Sequence, residues 1–397
     1  MRINEAAAEI GVSVVTLKRW LLSKKVQEVG RDRNGWRVFT QEDIGRLKKY
    51  ATQDTEKKIE VQREYSIASF FSGIGGFDVG FENVGFSISM QCEIEPFCNI
   101  VLKKHWPDVP KFGDIRSLDE TVIPTSNVWV GGFPCQDLSL ARMGKRDGLR
   151  GSKSGLFYEF ARLVGECKPR VILLENVAGL LSSHKGQDFG IVISTLAELG
   201  YAVGWRTFNS KYFGVPQSRQ RVYIVGCRGD GKGPGEILFE PKCSERDYTS
   251  GRQNGQKVAS AFQSIIGDPC GAGPVIQSIA YCLYATSARH TGTDWSRNYV
   301  CYPKFGMIRR LTPAECEGVM AFPSGWTLMS DSGLSSEDLD SARYHALGNA
   351  VTPPVAEWLA HRIKAYLDKS ESNELTVANA PREIKTAIYV QNFSHFQ

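Results

Sequence analysis

The chain lacks the features that would place it in or across a membrane. No stretch of its 397 residues approaches the roughly 20 consecutive apolar residues that span a bilayer. The first residues, from Met1 to Glu5, also lack the apolar core of a signal peptide. We therefore expect a cytoplasmic protein with no membrane partner.

Signals for metals and disulfides are missing too. None of the ten cysteines forms a Cys-x-x-Cys pair, and no cluster of cysteine and histidine has the spacing of a zinc site. A chain without a secretion signal is expected to keep its thiols reduced. The net charge of +5 is small, so composition alone does not require a nucleic-acid partner. We expect no metal, and only Cys135 has neighbours that argue for chemistry.

Residues 1–52 have the spacing of a small helix-turn-helix module. Cap and turn residues predict two helices joined by a turn, then a hairpin and a last helix: Asn4, Gly11, Ser13, Asn34-Gly35 and Thr40. Residues 1–60 carry 13 lysines and arginines against 9 aspartates and glutamates, so the module is basic. Residues 53–63 are polar and are interpreted as a linker.

Short apolar runs alternate with helical patterns over residues 64–228. Strands are predicted at residues 66–71, 86–92, 128–131 and 170–174. This alternation is typical of a parallel sheet with helices on both faces, so the predicted fold class is α/β. Three segments follow: residues 229–306 without a helical period, residues 307–367 with regular patterning, and a tail at 368–397 that we expect to be loosely ordered or peripheral.

A glycine-rich turn follows the first predicted strand. It contains Phe71, Gly73, Gly75 and Gly76, and glycine there lets backbone N–H groups approach a ligand. Glu93 follows the second strand, and a carboxylate at that distance can accept hydrogen bonds from both hydroxyls of a ribose. Asp114 and Ile115 could bracket an adenine. The spacing fits an adenosine-containing cofactor, but it does not distinguish a nicotinamide dinucleotide from S-adenosylmethionine. A glycine-rich turn by itself is also found as a simple tight turn that binds no ligand.

Two further side chains supply the chemistry that an aromatic pyrimidine needs. Addition of the Cys135 thiolate to C6 of cytosine would break the aromaticity and make C5 nucleophilic. Glu175 could stabilise the developing charge at N3, provided that burial raises its pKa. Arg219 and Arg221 are two residues apart at a later predicted strand, so their side chains point to the same face and could hold the base O2. Each of these residues alone has an ordinary structural explanation, but their combination in this order argues against it.

With these residues in place, residues 65–367 resemble the cytosine-5 DNA methyltransferases. The matching blocks, in the family's unpermuted order, are Phe71-x-Gly73-x-Gly75-Gly76, Glu93, Asp114, Gly132-Phe133-Pro134-Cys135-Gln136, Glu175-Asn176-Val177, Gln217-x-Arg219-x-Arg221, Arg309-Arg310-Leu311-Thr312-Pro313-x-Glu315 and Gly348-Asn349-Ala350-Val351. The Pro-Cys-Gln and Glu-Asn-Val blocks are highly specific. The resemblance implies a Rossmann-like methyltransferase fold with a smaller target-recognition domain. Of the two cofactors that fit the spacing, it implies S-adenosylmethionine.

The resemblance also assigns roles to individual residues. It implies that Cys135 attacks C6, Glu175 engages N3, Arg221 contacts O2 and Arg219 supports the active site. The cofactor residues that it implies are Phe71, Gly73, Gly75, Gly76, Glu93, Ile94, Asp114, Ile115, Leu156 and Asn349. Ile94 departs from the family, which often has an aromatic residue at the adenine-stacking position.

An active site of this kind cannot reach C5 inside a stacked duplex, so the target base must flip out. Residues 136–153 match the family's mobile loop, with Gln136 and Ser139 as candidate DNA contacts. Residues 229–306 take the place of the target-recognition domain, with Arg289 and Arg297 as candidates for reading bases. This region carries 8 lysines and arginines against 7 aspartates and glutamates, so it is not a simple basic patch, and a polar surface loop is an equal alternative.

The N-terminal module resembles MerR-type winged helices. The resemblance depends on Glu5-Ala6-Ala7, Gly11-Val12-Ser13, Thr16-Leu17-Lys18-Arg19-Trp20 and Arg37-Val38-Phe39. It implies that Thr16, Lys18 and Arg19 face the major groove or phosphates, and that Arg31 and Arg33 in the hairpin contact the DNA backbone. The alternative is a basic helical module that binds protein. No long heptad repeat follows to support a dimer.

Together these observations predict a sequence-specific DNA cytosine-5 methyltransferase in a restriction–modification or phage setting. Double-stranded DNA would be its partner, a cognate endonuclease would act separately, and the enzyme would be nucleoid-associated. The N-terminal module would repress its own operon or tether the enzyme to DNA. Two alternatives stay open: transfer-RNA cytosine-5 methylation, and a non-catalytic DNA-binding regulator on the same scaffold. A nicotinamide dehydrogenase fits least, because nothing there would require both Cys135 and Glu175.

Overall fold

The structure is a computed structural model, and most of the residues that it describes lie in the second of two compact units. The described residues are 3–10, 17, 21, 26, 29–30, 37–49, 65–134, 155–240, 279–283, 298–302, 305, 307–329 and 333–379. The two units are residues 1–64 and residues 65–397. Each has its own apolar core, so each is described by itself.

The first unit contains helix α1 (Ile3–Ile10) and helix α2 (residues 41–49). Its core consists of buried apolar residues from these helices and from the segments between them: Ala6, Ala7, Ile10, Leu17, Leu21, Val29, Phe39, Ile44 and Leu47. The Val38 N–H donates to the Gly30 carbonyl at 2.8 Å, which is the pairing expected across a hairpin. The hairpin tip lies outside the described residues.

Of the three predicted helix starts in this unit, Ser13 lies outside the described residues, and the other two have different outcomes. At Thr40 the prediction is confirmed: the Asp43 N–H donates to Thr40 Oγ1 at 3.2 Å, and Asp43 Oδ2 accepts from the Thr40 N–H at 2.9 Å. This reciprocal pair satisfies N–H groups that the first turn of a helix leaves open. At Asn4 the predicted cap is wrong, because α1 begins at Ile3 and already contains Asn4.

The second unit is built on a seven-stranded sheet. The strands described in the whole unit, in chain order, are β1 (Ser66–Phe70), β2 (Ser87–Cys92), β3 (Lys111–Phe112), β4 (Val128–Gly131), β5 (Val171–Val177), β6 (Tyr201–Asn209), β7 (Gln217–Ser218), β8 (Gln220–Arg228), β9 (Ala280–Tyr281), β10 (Tyr299–Tyr302) and β11 (Met307–Arg310). The order in the large sheet is β3-β2-β1-β4-β5-β8-β6, and β7–β9 and β10–β11 form small separate pairs. The predicted strands at β1, β2, β4 and β5 are confirmed; β4 has the predicted bounds, and the other three differ at their ends.

The large sheet is parallel except at β8. This strand runs antiparallel to both β5 and β6. Residues 210–219, which join β6 to β8, are too few for the crossover of about a dozen residues that a parallel pair requires. The predicted parallel arrangement is therefore wrong at this one strand, and the α/β class is confirmed.

Helices cover both faces of the sheet. The α-helices described in this unit are α3 (Gly76–Glu82), α4 (Pro96–His105), α5 (Leu156–Cys167), α6 (Gln187–Glu198), α7 (Gly233–Leu238), α8 (Pro313–Val319), α9 (Ser336–Asn349) and α10 (Pro353–Asn379). Side chains alternate along β5: Val171 and Leu173 pack with α3, α7 and α10, whereas Ile172 and Leu174 pack with α5 and α6. Because both faces are covered, the strand is an apolar run up to Glu175.

The irregular region at 229–306 begins inside this core. The sequence predicts no helix there, but α7 forms, with Pro234 in its first turn. Ile237 and Leu238 are fully buried in the cluster beneath α3 and α10. Proline is favoured in a helix's first turn because its missing N–H has no partner to lose there. The first residues of the region therefore belong structurally to the catalytic sheet.

Helix α10 continues beyond Leu367, where the sequence predicts a loosely ordered or peripheral tail. The Tyr65 hydroxyl donates to Asp368 Oδ1 at 3.0 Å, and Arg170 Nη1 lies 2.8 Å from Glu371 Oε1. These two contacts join the helix extension to the sheet. The prediction is therefore wrong for residues 368–379, and residues 380–397 lie outside the described part of the chain.

A third apolar cluster surrounds α4, α8 and α9, and it takes in Ala280, Leu283 and Val300 from the short strands and their flanks. Within the described ranges, no helix is both long enough and apolar enough to cross a membrane. The same ranges contain no group of three or more histidine, cysteine, aspartate or glutamate side chains arranged to hold a metal ion.

Candidate active site

Three of the predicted site features meet at one edge of the sheet. Strands β1, β2, β4 and β5 are mutually parallel, so their carboxyl ends meet at that edge. The glycine-rich turn follows β1, Glu93 follows β2, and Glu175 lies near the end of β5. Ligands of open α/β sheets bind at this edge, outside the carboxyl ends of the strands.

Glu175 is almost fully buried, with 7% of its surface exposed. Arg221 enters from β8, opposite Val177, and places its Nε 3.0 Å from Glu175 Oε1. Burial raises the pKa of Glu175, and the nearby guanidiniums of Arg221 and Arg219 offset only part of that rise. The carboxyl therefore keeps its proton at a higher pH than an exposed glutamate would, which is what the predicted acid requires.

The segment leading to Cys135 lies against this carboxyl. A Cβ built on Gly132 would be 3.2 Å from Glu175 Oε2, so the loop after β4 approaches the acid closely. The Phe133 carbonyl accepts a hydrogen bond of 2.8 Å from Asn176 Nδ2, which joins this loop to the end of β5. Asn176 received no role from the sequence, although it stands inside the Glu-Asn-Val block. Cys135 itself lies outside the described residues.

The two predicted arginines differ in their surroundings. Arg219 is 1% exposed and donates to three carbonyls: Leu283 at 3.0 Å, Gly348 at 3.0 Å and Ala350 at 2.9 Å. Only Arg221 pairs with the predicted acid. The hydrogen bonds of Arg219 fit a supporting role, and they leave Arg221 as the guanidinium that can reach a base.

Cys282 is a contact of this site that the sequence did not indicate. Strand β9 pairs with β7, and Gln217 Oε1 accepts from the Leu283 N–H at 3.0 Å. Together these bonds bring Cys282 Sγ to 3.5 Å from Arg219 Nη1 and 4.0 Å from Arg221 Nη1. No local pattern marks this cysteine, because the contact depends on the pairing of strands that are far apart in sequence.

The glycine-rich turn presents backbone to the space above the sheet edge. Gly73 adopts a left-handed φ of 56°, and no atom lies within 4 Å of a Cβ built on it. Its N–H donates to Glu93 Oε2 at 2.7 Å, and Glu93 Oε1 accepts from the Glu95 N–H at 2.8 Å. An open glycine beside a fixed carboxylate fits a ligand that carries a ribose.

Gly75 and Gly76 face protein instead. A Cβ on Gly75 would meet the Trp106 ring at 2.4 Å, and one on Gly76 would meet the Val351 carbonyl at 2.2 Å. Glycine is therefore required at both positions by packing, whatever the ligand. Phe71 adopts a left-handed φ of 51°, which is strained for a residue with a side chain, as the chain turns out of β1.

The predicted adenine contacts are divided between surface and core. Asp114 accepts from the Arg116 N–H at 3.0 Å, and the Arg116 guanidinium lowers the pKa of Asp114, so the carboxylate is charged. Ile94 is 63% exposed, whereas Ile115 is only 2% exposed and packs in the core. Of the two predicted apolar contacts, only Ile94 thus offers its side chain to a ligand.

The last two predicted cofactor residues stand at helix ends. Leu156 is half-buried at the start of α5, and Asn349 ends α9, with its Nδ2 at 3.1 Å from His345 Nε2. The candidate DNA contacts lie outside the residues that the structure describes: Thr16, Lys18, Arg19, Arg31, Arg33, Gln136, Ser139, Arg289 and Arg297.

Two family models match the chain. The model for the C-5 cytosine-specific DNA methylase matches residues 65–268 and 253–365. The model for the MerR HTH family regulatory protein matches residues 1–53. The two matches fall on the two compact units in turn.

Several curated proteins are similar over most of their length. Type II methyltransferase M.NgoBI of Neisseria gonorrhoeae is 38% identical over 321 residues, which cover 78% of this chain and 96% of that protein. Type II methyltransferase M.MspI of Moraxella sp is 31% identical over 80% of this chain and 74% of its own. M.SsoII of Shigella sonnei is 29% identical over 77% and 81%.

Solved structures agree on the fold. The Entamoeba histolytica methyltransferase EhMeth aligns with a TM-score of 0.54 at 17% identity, covering 77% of this chain and 99% of its own. The S. pombe Dnmt2 methyltransferase aligns with a TM-score of 0.52 at 19% identity and the same coverage. The chain therefore belongs to the C-5 cytosine-specific DNA methylase family, and it is a methyltransferase that uses S-adenosylmethionine.

Proposed function

We propose that Cys135 is the nucleophile and Glu175 the acid of a methyl transfer to C5 of a cytosine flipped out of duplex DNA. The observation that supports this most directly is the contact between the loop after β4 and the end of β5. Gly132 lies against Glu175 Oε2, at 3.2 Å from a built Cβ, and Asn176 holds the Phe133 carbonyl. Three peptide units of about 3.8 Å each separate Gly132 from Cys135, so the length of the chain allows the thiol to reach the acid.

The chemistry then follows from the side chains present. The Cys135 thiolate forms a bond to C6, and the electron pair of the C5–C6 double bond moves into the ring, towards N3 and O2. Glu175, buried and holding a proton, bonds N3, and Arg221 stabilises the charge on O2. Bound S-adenosylmethionine supplies the methyl group that C5 takes up. Loss of the C5 proton and departure of the Cys135 sulfur then restore the aromatic ring.

The residues at the sheet edge suit this cofactor. Glu93 would accept from the ribose hydroxyls, Asp114 from the adenine amine, and Ile94 would cover one face of the adenine. Gly73 leaves room for the ligand beside its backbone, and Leu156 and Asn349 stand at the helix ends that border the site. The two carboxylates are hydrogen-bond acceptors, which the hydroxyl and amine groups of this ligand require as donors.

A covalent trap tests the proposal. A duplex containing 5-fluorocytosine at the target should give a protein–DNA adduct that survives denaturing electrophoresis, because fluorine at C5 cannot leave as the proton does. The adduct should require S-adenosylmethionine and should disappear in Cys135→Ser, which should still bind the duplex. An adduct in Cys135→Ser, or none in the wild type on DNA that it methylates, would overturn the assignment. Transfer RNA bearing the same base serves as the comparison substrate.

We also propose a setting for the enzyme. The relatives M.NgoBI, M.MspI and M.SsoII are named Type II methyltransferases, which supports a restriction–modification system with a separate cognate endonuclease. Residues 1–53 would bind DNA as a helix-turn-helix and either repress the enzyme's operon or tether it near its targets. Such an enzyme would work in the cytoplasm, at the nucleoid.

A further inference from the structure

A buried carboxyl lies beneath the cofactor site and has no part in the chemistry above. Asp78 is in the first turn of α3, directly after the glycine-rich turn, and it is fully buried. Its Oδ2 accepts from Ser69 Oγ at 3.0 Å, and its Oδ1 accepts from Gln91 Nε2 at 2.8 Å. Each carboxyl oxygen is thus bonded to a different strand. We call Asp78, Ser69 and Gln91 the carboxyl clasp.

The two strand residues of the clasp are partners in the sheet. Ser69 lies opposite Gln91 in the parallel register of β1 and β2. Both precede the end of their strand by one residue. The clasp therefore holds the carboxyl ends of β1 and β2 together, and it fixes both strand ends against the start of α3.

The cofactor residues emerge directly from these two strand ends. Glu93 is two residues beyond Gln91, and Gly73 is four beyond Ser69. Two hydrogen bonds join the segments that follow β1 and β2: the Ser72 N–H donates to the Cys92 carbonyl at 3.1 Å, and the Gly73 N–H donates to Glu93 Oε2 at 2.7 Å. A shift of either strand end would therefore move Gly73 and Glu93 relative to each other.

The clasp is also a costly way of joining three elements. Burying a carboxyl and an amide removes both from water, and Gln91 Oε1 is buried without a hydrogen-bond partner among the described residues. Apolar side chains of similar size would pack the same space with less desolvation. Directional hydrogen bonds, unlike apolar contacts, define where each strand end lies. This argues that the clasp serves position more than stability.

We propose that Asp78 is a positioning residue for S-adenosylmethionine: it fixes the ends of β1 and β2, and through them the distance between the Gly73 backbone and the Glu93 carboxylate. The inference rests on the proposed cofactor role of Gly73 and Glu93. It assigns Asp78 no contact with the ligand.

Calorimetric titration of the full-length protein with S-adenosylhomocysteine tests the proposal without turnover. Asp78→Leu should weaken binding by about tenfold or more, since small misplacements of binding groups have effects of that order. Asp78→Asn can still accept from Gln91 and donate to Ser69, and it should bind like the wild type. Asp188→Leu is the matched control, because Asp188 is also a buried carboxyl in the first turn of a helix, on the opposite face of the sheet. It should leave cofactor binding unchanged.

A second ligand separates positioning from general loosening. A 2′,3′-dideoxy analogue of S-adenosylhomocysteine lacks the hydroxyls that Glu93 would hold. The wild type should prefer the hydroxylated ligand strongly, and Asp78→Leu should lose most of that preference. If Asp78→Leu is poorly folded, the all-apolar variant Ser69→Ala/Asp78→Leu/Gln91→Leu removes the unpaired donors and takes its place.

The outcomes distinguish the two proposals. Failure of the wild type to bind S-adenosylhomocysteine would overturn the cofactor assignment itself. Wild-type binding together with equal affinity and equal ribose preference in a folded Asp78→Leu, or in the all-apolar variant, would overturn the positioning role and leave the cofactor site standing. Loss of affinity in Asp188→Leu as large as in Asp78→Leu would show a nonspecific effect and would also overturn it.

Discussion

At the scale of single residues, burial and Arg221 have opposite effects on the proton of Glu175. Burial favours the neutral carboxyl, and the guanidinium 3.0 Å away favours the carboxylate. Because burial is the larger effect, the pKa of Glu175 is raised, but the carboxyl still has a cation within reach as charge develops on the base. An acid that is neutral at rest and paired when it gives up its proton is suited to protonating or bonding N3.

Glu175→Gln tests this balance. Glutamine keeps the size and a hydrogen-bond donor but cannot give up a proton, so the single-turnover rate of methyl transfer should fall by about 10² to 10⁴. Gel-shift affinity for the duplex should stay close to that of the wild type, because the acid acts after binding. A rate within a factor of a few of the wild type would mean that N3 needs only a hydrogen bond.

Arg219 should matter for stability. Replacing it with methionine leaves the buried carbonyls of Leu283, Gly348 and Ala350 without their donor, which should lower the free energy of unfolding by about 3 kcal/mol or more. Arg228 ends β8, the strand that begins directly after Arg219; it is exposed, and its guanidinium donates to the Lys168 carbonyl at 3.2 Å, so Arg228→Met should cost less than about 0.5 kcal/mol. Urea unfolding of both variants measures the two losses in the free energy of unfolding. Equal losses would contradict the supporting role of Arg219.

Asp78 should also give stability a distinctive dependence on pH. Burial raises its pKa from 3.8 to about 6, although Gln91 and Ser69 oppose the shift. The folded state therefore binds the proton more tightly than the unfolded state. The resulting stabilisation is complete below pH 3.8 and disappears as the pH rises through about 6.

The difference in unfolding free energy between the wild type and Asp78→Asn isolates this effect, because other buried groups such as Glu175 are common to both proteins. Relative to the variant, the wild type should lose on the order of 3 kcal/mol between about pH 4 and pH 7. Chemical denaturation at four or five pH values measures it. A flat difference would mean that Asp78 is not protonated in the folded state within this range.

At the scale of elements, α3 and α10 approach so closely that their contact depends on glycine. A Cβ on Gly80 would lie 2.5 Å from Ala356 Cβ and 2.6 Å from the Glu357 backbone nitrogen. Gly80→Ala should therefore destabilise the protein by about 1 to 3 kcal/mol, because backbone must move. Gly190 is its control: it is exposed in α6 with no atom within 4 Å, so Gly190→Ala should stabilise by about 0.5 to 1 kcal/mol. Thermal unfolding should show shifts of opposite sign.

The elements also show what sequence can predict here. The strands β1, β2, β4 and β5 and the Thr40 cap were predictable because each depends on a local pattern, either an apolar run or a capping residue followed by an acid. The reversed direction of β8 depends on the length of the connection from β6 and on which strand has a free edge. The sequence shows how many residues connect the two strands, but it does not show that β8 pairs with both β5 and β6.

The site divides in the same way. Glu175, Glu93 and the glycine-rich turn stand in local blocks at strand ends, so their convergence could be predicted from the parallel order of the strands. Cys282 and the carboxyl clasp could not, because each joins residues that approach only when separate strands pair. Ile115 was misjudged for a related reason: its block shows that it follows β3, but not that its side chain points into the core.

At the scale of the whole molecule, the chain combines two units whose apolar cores are separate in composition. Among the described residues, the core of residues 1–64 is formed by that unit's own side chains, and the other three apolar clusters are formed by residues of 65–397. The proposed catalytic and cofactor residues all lie in the second unit. We therefore expect methyl transfer to depend on residues 65–397, and additional DNA binding to depend on residues 1–64.

A deletion of residues 1–64 tests this division. The shortened chain should methylate a duplex containing its target site, and its thermal unfolding should stay cooperative, because the apolar clusters described in residues 65–397 consist of that unit's own side chains. Its binding to the promoter of its own operon should be lost, and the dependence of total DNA affinity on salt should become less steep as phosphate contacts of the basic module are removed. Gel shifts at several salt concentrations and methyl incorporation measure the two properties separately. A shortened chain that folds but no longer transfers methyl groups would show that the N-terminal unit contributes to the reaction itself, and promoter binding that survives the deletion would assign that binding to the methyltransferase unit.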